Sequence, residues 1–205
     1  MRIILSDAGK RFNRDWIFRH LNFEFLTGKS YAITGPNGSG KSTLLQVLSS
    51  SIEHNEGSIQ WTNSERKIEP DQVYKTVSIA APYLEVIEEM TAKEFLLFHS
   101  QFKRLLSSLS INEMIATIGL EKSTNKQIRY YSSGMKQRLK LAQAIFTDAP
   151  LLLLDEPCTN LDENGYALYH ELIRKYGAGK TIIVSSNDVN EYSFCEEKIN
   201  ISDYK

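Results

Sequence analysis

The sequence predicts an α/β domain with a parallel central sheet, an antiparallel N-terminal β subdomain and an inserted helical lobe. Three observations predict it. The first sixty residues alternate apolar and polar side chains with the period of strands. From about Thr91 to Phe146 the apolar residues fall instead at helical spacing. Leu151–Leu154 and Thr181–Val184 are continuous apolar runs, as expected of central parallel strands buried on both faces.

In chain order, Leu21, Phe23 and Phe25 alternate with Asn22 and Glu24, and Thr27-Gly28-Lys29 turns the chain. Ser30–Thr34 reads as a short buried strand, and Leu44–Leu48 opens the apolar face of a helix. Ile59 and Trp61 alternate with Ser58 and Gln60 after Gly57, and Val77–Ala80 is a further strand. Ile111, Met114, Ile115 and Ile118 form one helical face; Met135, Leu139, Ala142 and Phe146 form another. Lys198–Ile201 reads as the last strand, with no regulatory C-terminal domain expected after it. One domain, 1–205, is expected, with a helical lobe over roughly 82–145.

Its 205 residues suffice to bury a core without disulfide or metal staples. The charge balance, 24 basic against 25 acidic residues, gives no general electrostatic case for nucleic acid as a partner. Cys158 and Cys195 lack metal-ligand spacing and read as reduced structural thiols. The N-terminus lacks a signal-peptide pattern, and no stretch approaches the ~18–20 apolar residues of a membrane span. A soluble chain is expected, with any membrane role supplied by a partner.

Between the Ser30–Thr34 strand and the following helix lies Gly35-Pro36-Asn37-Gly38-Ser39-Gly40-Lys41-Ser42-Thr43, which matches G-x-x-x-x-G-K-[ST]. Glycines let such a loop turn its N–H groups inward around an anion, and the helix N-terminus adds roughly half a positive charge. Lys41 is then placed for β- and γ-phosphates, and the Ser42 hydroxyl for Mg²⁺. The expected fold is therefore that of a P-loop NTPase core. Leu151–Leu154 ends on Asp155-Glu156-Pro157. In a phosphate-loop protein Asp155 is expected to hold Mg²⁺, and Glu156 to polarise a water attacking the γ-phosphate. Ser132 is a candidate N-cap, and the small Ser133-Gly134 pair would let a phosphate approach the first N–H groups of its helix.

These three sites resemble, in order and spacing, the ATP-binding subunits of ABC transporters, over essentially the whole chain. Tyr131–Met135 looks like that family's Leu-Ser-Gly-Gly-Gln signature, keeping its serine, Ser132, and its second glycine, Gly134. Thr159-Asn160-Leu161-Asp162 resembles the loop after the catalytic glutamate, with Asp162 as its aspartate. Phe12 stands where the family stacks an aromatic on adenine; an ordinary core phenylalanine is the plainer reading, and Trp16 a substitute. The resemblance implies that two such domains close head to tail over two ATP molecules. Each ATP would lie between one chain's phosphate loop and the other's signature helix. It also implies an integral-membrane transporter subunit on a separate chain, a second ATP-binding subunit (a copy or a relative), and a place on the cytoplasmic face of the membrane.

Two positions depart from the family pattern. Its glutamine should lie at Pro82 or Tyr83, and neither supplies a carboxamide. Asn187 stands where a histidine normally contacts the γ-phosphate, with a shorter side chain that cannot take up a proton. Slow hydrolysis is expected, or a repurposed site in which Glu85 or Asp188 helps. The alternative function is a nucleotide-gated interaction module with little turnover. The acidic cluster Glu85, Glu88 and Glu89 reads as a solvated face, with a partner contact as the other possibility. His20, His54, His99 and His170 carry no catalytic assignment.

Overall fold

The computed structural model describes residues 1–205. The chain forms β1 (Arg2–Phe12), β2 (Asp15–Phe25), β3 (Ser30–Thr34), α1 (Lys41–Leu48), β4 (Glu56–Asn63), β5 (Arg66–Ile68) and β6 (Val77–Ala80). It continues through α2 (Ala92–Ser100), α3 (Ile111–Thr117), α4 (Ser133–Ile145), β7 (Leu151–Asp155), α5 (Glu163–Tyr176), β8 (Thr181–Ser185), α6 (Val189–Tyr192) and β9 (Glu197–Asn200). The antiparallel sheet has the order β2-β1-β4-β5, and the parallel sheet β6-β7-β8-β3-β9.

The alternation along β7 explains the layering. Leu151 and Leu153 face a core shared with the antiparallel sheet and α1, alongside Ile33, Leu44 and Trp61. Leu152 and Leu154 face the opposite core, made with α2 to α5. Both faces of β7 and β8 are covered, so every residue of each is buried, as the apolar runs required.

The expected helical stretch from Thr91 to Phe146 is interrupted. Residues 101–110 form turns, and 118–132 hold only short 3₁₀ segments before α4. Local polar chemistry sets these breaks. Thr91 with Glu94, and Ser110 with Glu113, form capping boxes at the starts of α2 and α3. The last strand ends at Asn200, one residue early, because Ile201 begins a 3₁₀ turn.

His99 ties α2 to the end of α4. Gln143 donates to its Nδ1 at 3.0 Å, while Nε2 meets the Thr147 hydroxyl at 2.9 Å. That hydroxyl donates to the Gln143 carbonyl, so it accepts from Nε2–H and the ring is neutral. Burial, with the Lys103 charge second, lowers the His99 pKa from 6.5 to about 4. An unfolded chain therefore binds a proton below pH 6.5 that the native chain refuses until about pH 4. The contribution of His99 to stability is complete above pH 6.5 and is lost as pH drops toward about 4. Urea unfolding at stepped pH should show the decline, and His99→Gln should flatten it.

Candidate functional site

The carboxyl ends of adjacent β7, β8 and β3 bring three segments together, as crevices of open parallel sheets do. Gly35–Gly40 leaves β3 and enters α1 at Lys41. Gly40 has φ +106°, and a Cβ there would come within 2.2 Å of the Ile17 side chain, so only glycine fits. Gly40 offers no side-chain cap, and the first turn of α1 carries no acid. Its N–H groups thus remain available to an anion. Lys41 is buried, and its Nζ donates to the carbonyls of Gly35 at 2.8 Å and Pro36 at 3.3 Å. The ammonium folds the loop around itself.

A cleft of about 220 Å³ over this loop is lined by Ile17, Asn37, Gly38, Gly40, Lys41, Ser42, Thr43 and Glu156. Ile17 is its one apolar side chain, and the sequence reading missed it. Alternation along β2 could have marked it, but not its approach to Gly40.

Asp155 closes β7, buried, with Oδ1 lacking any hydrogen-bond partner. Its register neighbour on β8, Ser185, is also buried with an unpartnered Oγ, as is Ser39 of the loop. Orphaned buried oxygens are costly. The Asp155 carboxylate at the end of β7 and the Ser42 hydroxyl that lines the cleft are hard oxygen donors of the kind that suits Mg²⁺. No cluster of three or more His, Cys, Asp or Glu side chains is present to hold a metal unaided. Such a set fits magnesium, which commonly leans on one or two carboxylates and on substrate phosphates.

Glu156 adopts φ +43°, a strained conformation for a side-chain-bearing residue. Its N–H donates to Ser185 O at 2.8 Å, and its carbonyl accepts from the Thr159 N–H and hydroxyl. The strain turns the chain sharply at the end of β7, and the Glu156 side chain lines the cleft with Lys41 and Ser42.

Asn187 braces the loop. Its Oδ1 accepts from the Gly35 N–H at 3.3 Å, and its Nδ2 donates to Asn37 Oδ1 at 3.0 Å. At Tyr83, one of the two positions expected to lack a carboxamide, burial and then the nearby Asp155 charge raise the phenol pKa, and a hydrogen bond with Gln46 of α1 partly offsets them.

Gly35, Pro36, Ser39, Asp155 and Asn187 border this cleft without lining it, and Ser132, Gly134, Asp162 and Phe12 lie on other elements outside its lining. Ser132 caps α4, accepting from the Met135 N–H at 3.2 Å, and is exposed. A Cβ at Gly134 would lie 3.1 Å from the Asn160 carbonyl. Asp162 caps α5, accepting from the Gly165 N–H at 2.8 Å. Phe12, at the end of the β1–β2 hairpin, is 48% exposed, which rules out the core reading. Lys10 lies 4.9 Å from its ring centroid. Trp16, by contrast, packs against Gly9 and carries Arg19 at 4.5 Å. Among the acidic cluster, Glu88 pairs with Lys136 and Glu89 with Arg129. Both cysteines are free thiols.

The sequence model of the ABC transporter family matches residues 18–159. An uncharacterised ABC transporter ATP-binding protein, YybJ of Bacillus subtilis, is 34% identical over 195 residues, spanning 91% of this chain and 86% of the relative. The lantibiotic transport ATP-binding protein SrtF of Streptococcus pyogenes is 30% identical over 198 residues, 91% of this chain and 80% of its own. Among solved structures, the dimeric post-hydrolysis state of the ATP-binding cassette MJ0796, bound to ADP and Pi, superposes with a TM-score of 0.80. It is 23% identical and the match covers 97% of this chain and 94% of that one.

Proposed function

The chain belongs to the ABC transporter family, and from that premise we propose that it is the ATP-binding and hydrolysing subunit that energises a membrane transporter through ATP-driven dimerisation. The observation that carries this reading is the convergence of Lys41, Ser42 and Glu156 on one cleft, with the buried Asp155 oxygen at the neighbouring strand end.

In this reading Lys41 exchanges its loop carbonyls for the β- and γ-phosphates, and the N–H groups at the start of α1 complete the cradle. Ser42 and Asp155 would hold Mg²⁺, which when bound neutralises charge developing on the phosphates. Glu156 accepts the proton of the attacking water. Phe12, half exposed with Lys10 over its ring, is the side chain assigned to stack on the adenine. The separation of Ser132, Gly134 and Asp162 from the cleft favours their use by a second subunit, whose phosphate loop they would cover. The dimeric arrangement of MJ0796 supports such pairing. Slow hydrolysis follows from the Asn187 amide being engaged by the loop and from Pro82 or Tyr83 standing where the family has its glutamine.

No helix is long and apolar enough to cross a membrane. Leu84, Leu97, Phe98 and Phe102 are exposed large apolar residues of the helical lobe and the loop before it, and Phe98 and Phe102 pack edge to face. An exposed apolar strip of this kind suits an integral-membrane subunit docked from the cytoplasmic side. Purification from detergent-solubilised membranes tests the reading. The chain is expected to retain an integral-membrane protein whose presence raises its ATP turnover. Recovery with no membrane protein in repeated preparations would count against transport.

A further inference from the structure

Glu191 is a buried acid with no cation beside it. Its residue is 4% exposed, and the charges that act on it, Asp188 and Glu156, are both acidic. Placing a carboxyl in such surroundings is expensive. Burial, ahead of those two acids, raises its pKa above the ordinary carboxylate value. A leucine would fill the space at less cost, so the group is there for what it holds.

What it holds is a backbone. Oε1 accepts from the Cys158 N–H at 2.7 Å, two residues beyond Glu156. Oε2 is buried with no hydrogen bond of ordinary geometry, and the nearby Ser186 hydroxyl partly offsets the effect of burial on the carboxyl. The turn that starts at Glu156 is also held by Thr159, by Ser185 and by Gln137 of α4, whose Nε2 donates to the Pro157 carbonyl at 2.6 Å. Cys158 is the point at which it is fastened to α6. At its other end Glu191 is itself anchored, since the Tyr169 hydroxyl donates to its carbonyl at 2.9 Å. Upstream, the Asp188 N–H donates to Ser186 Oγ, the Ser186 N–H to Ile33 O, and Asn187 reaches Gly35 and Asn37. One short segment, 186–191, is thus bonded to the phosphate loop on one side and to the Glu156 turn on the other.

We propose that Glu191 is a positioning residue for Glu156: through the Cys158 N–H it fastens the strained turn that aims the Glu156 carboxylate, and it couples that turn to the segment bracing the phosphate loop. The role in turnover rests on the reading of Glu156 as general base; the clamp itself does not. Glutamine keeps the shape of the side chain and an amide oxygen that can accept from the Cys158 N–H. Methionine fills the same volume without the acceptor. Aspartate keeps the acid on a shorter arm and cannot reach Cys158 from the same backbone.

The test compares Glu191→Gln, Glu191→Met and Glu191→Asp in the full chain by amide hydrogen exchange over residues 156–162 and by ATP turnover. Loss of one buried bond should speed Cys158 amide exchange about tenfold in the Met and Asp variants and leave the Gln variant near wild type. In the same two variants kcat should fall about tenfold with KM for ATP within about twofold, since the phosphate cradle is untouched. Unchanged exchange in Glu191→Met and Glu191→Asp would overturn the clamp, as would a Gln variant no better than Met. Accelerated exchange with unchanged kcat would overturn its service to Glu156. If wild-type turnover is itself indifferent to Glu156→Gln, the general-base reading fails and takes the turnover role with it, while the exchange result still decides the clamp.

Discussion

Glu156→Gln is expected to lower ATP turnover by about 10²–10³-fold while leaving Mg-ATP affinity within about twofold. The carboxylate lines the cleft beside Lys41 and Ser42, and its backbone is pinned by Ser185 and Thr159. Glutamine keeps the volume and the hydrogen bonds of the turn but cannot accept the proton of the attacking water. A positioned general base contributes about 10²–10⁴-fold, so the loss falls on kcat. Phosphate release at saturating ATP measures it, with equilibrium binding of Mg-ATP as the companion. A turnover unchanged by the substitution would sink the general-base assignment. The wild-type rate from which this loss is counted is itself expected to be low. The Asn187 amide is occupied at Gly35 and Asn37, where a free donor toward the γ-phosphate would be worth about 10²-fold.

Lys41→Ala should weaken Mg-ATP binding by about 10²-fold, the worth of charge-assisted hydrogen bonds to phosphate of about 1.5–3 kcal/mol. Its ammonium is already desolvated and held at the loop by Gly35 and Pro36. Little reorganisation is therefore needed when phosphate oxygens replace those carbonyls. Calorimetric titration with Mg-ATP reads the effect. An affinity within about threefold of wild type would mean that the backbone cradle alone binds the phosphates.

The parts of this molecule that were legible in sequence are those whose physics is local or fully buried. β7 and β8 announce themselves because both faces are covered, which leaves no polar alternation to confuse the period. The phosphate loop is legible because its chemistry needs glycines, a lysine and a hydroxyl at fixed spacing. β1 was harder: register shifts between Leu5 and Ala8 and around Lys10 break its alternation, and Asp7 has φ +51°. The division between α2 and α3 was readable in principle from Thr91-Glu94 and Ser110-Glu113, whose capping boxes mark helix starts. Glu191 was not. On a four-residue helix it resembles any surface acid, and its burial comes from Cys158 and Tyr169, distant in sequence. Asn187 was recognisable as a departure by its residue type, but its partners, Gly35 and Asn37, emerge only from the pairing of β3 with β8.

The central claim is that each complete site takes its phosphate loop from one chain and its Ser132 helix from another. It is tested most directly by mixing two inactive variants, Lys41→Ala and Ser132→Arg, in equal amounts and measuring ATP turnover against each alone and against the wild type. A shared site predicts that the mixture recovers turnover neither variant has, because mixed dimers contain one site with both Lys41 and Ser132 intact. Turnover in the mixture no greater than the sum of the two variants, with the wild type active alone, would contradict it.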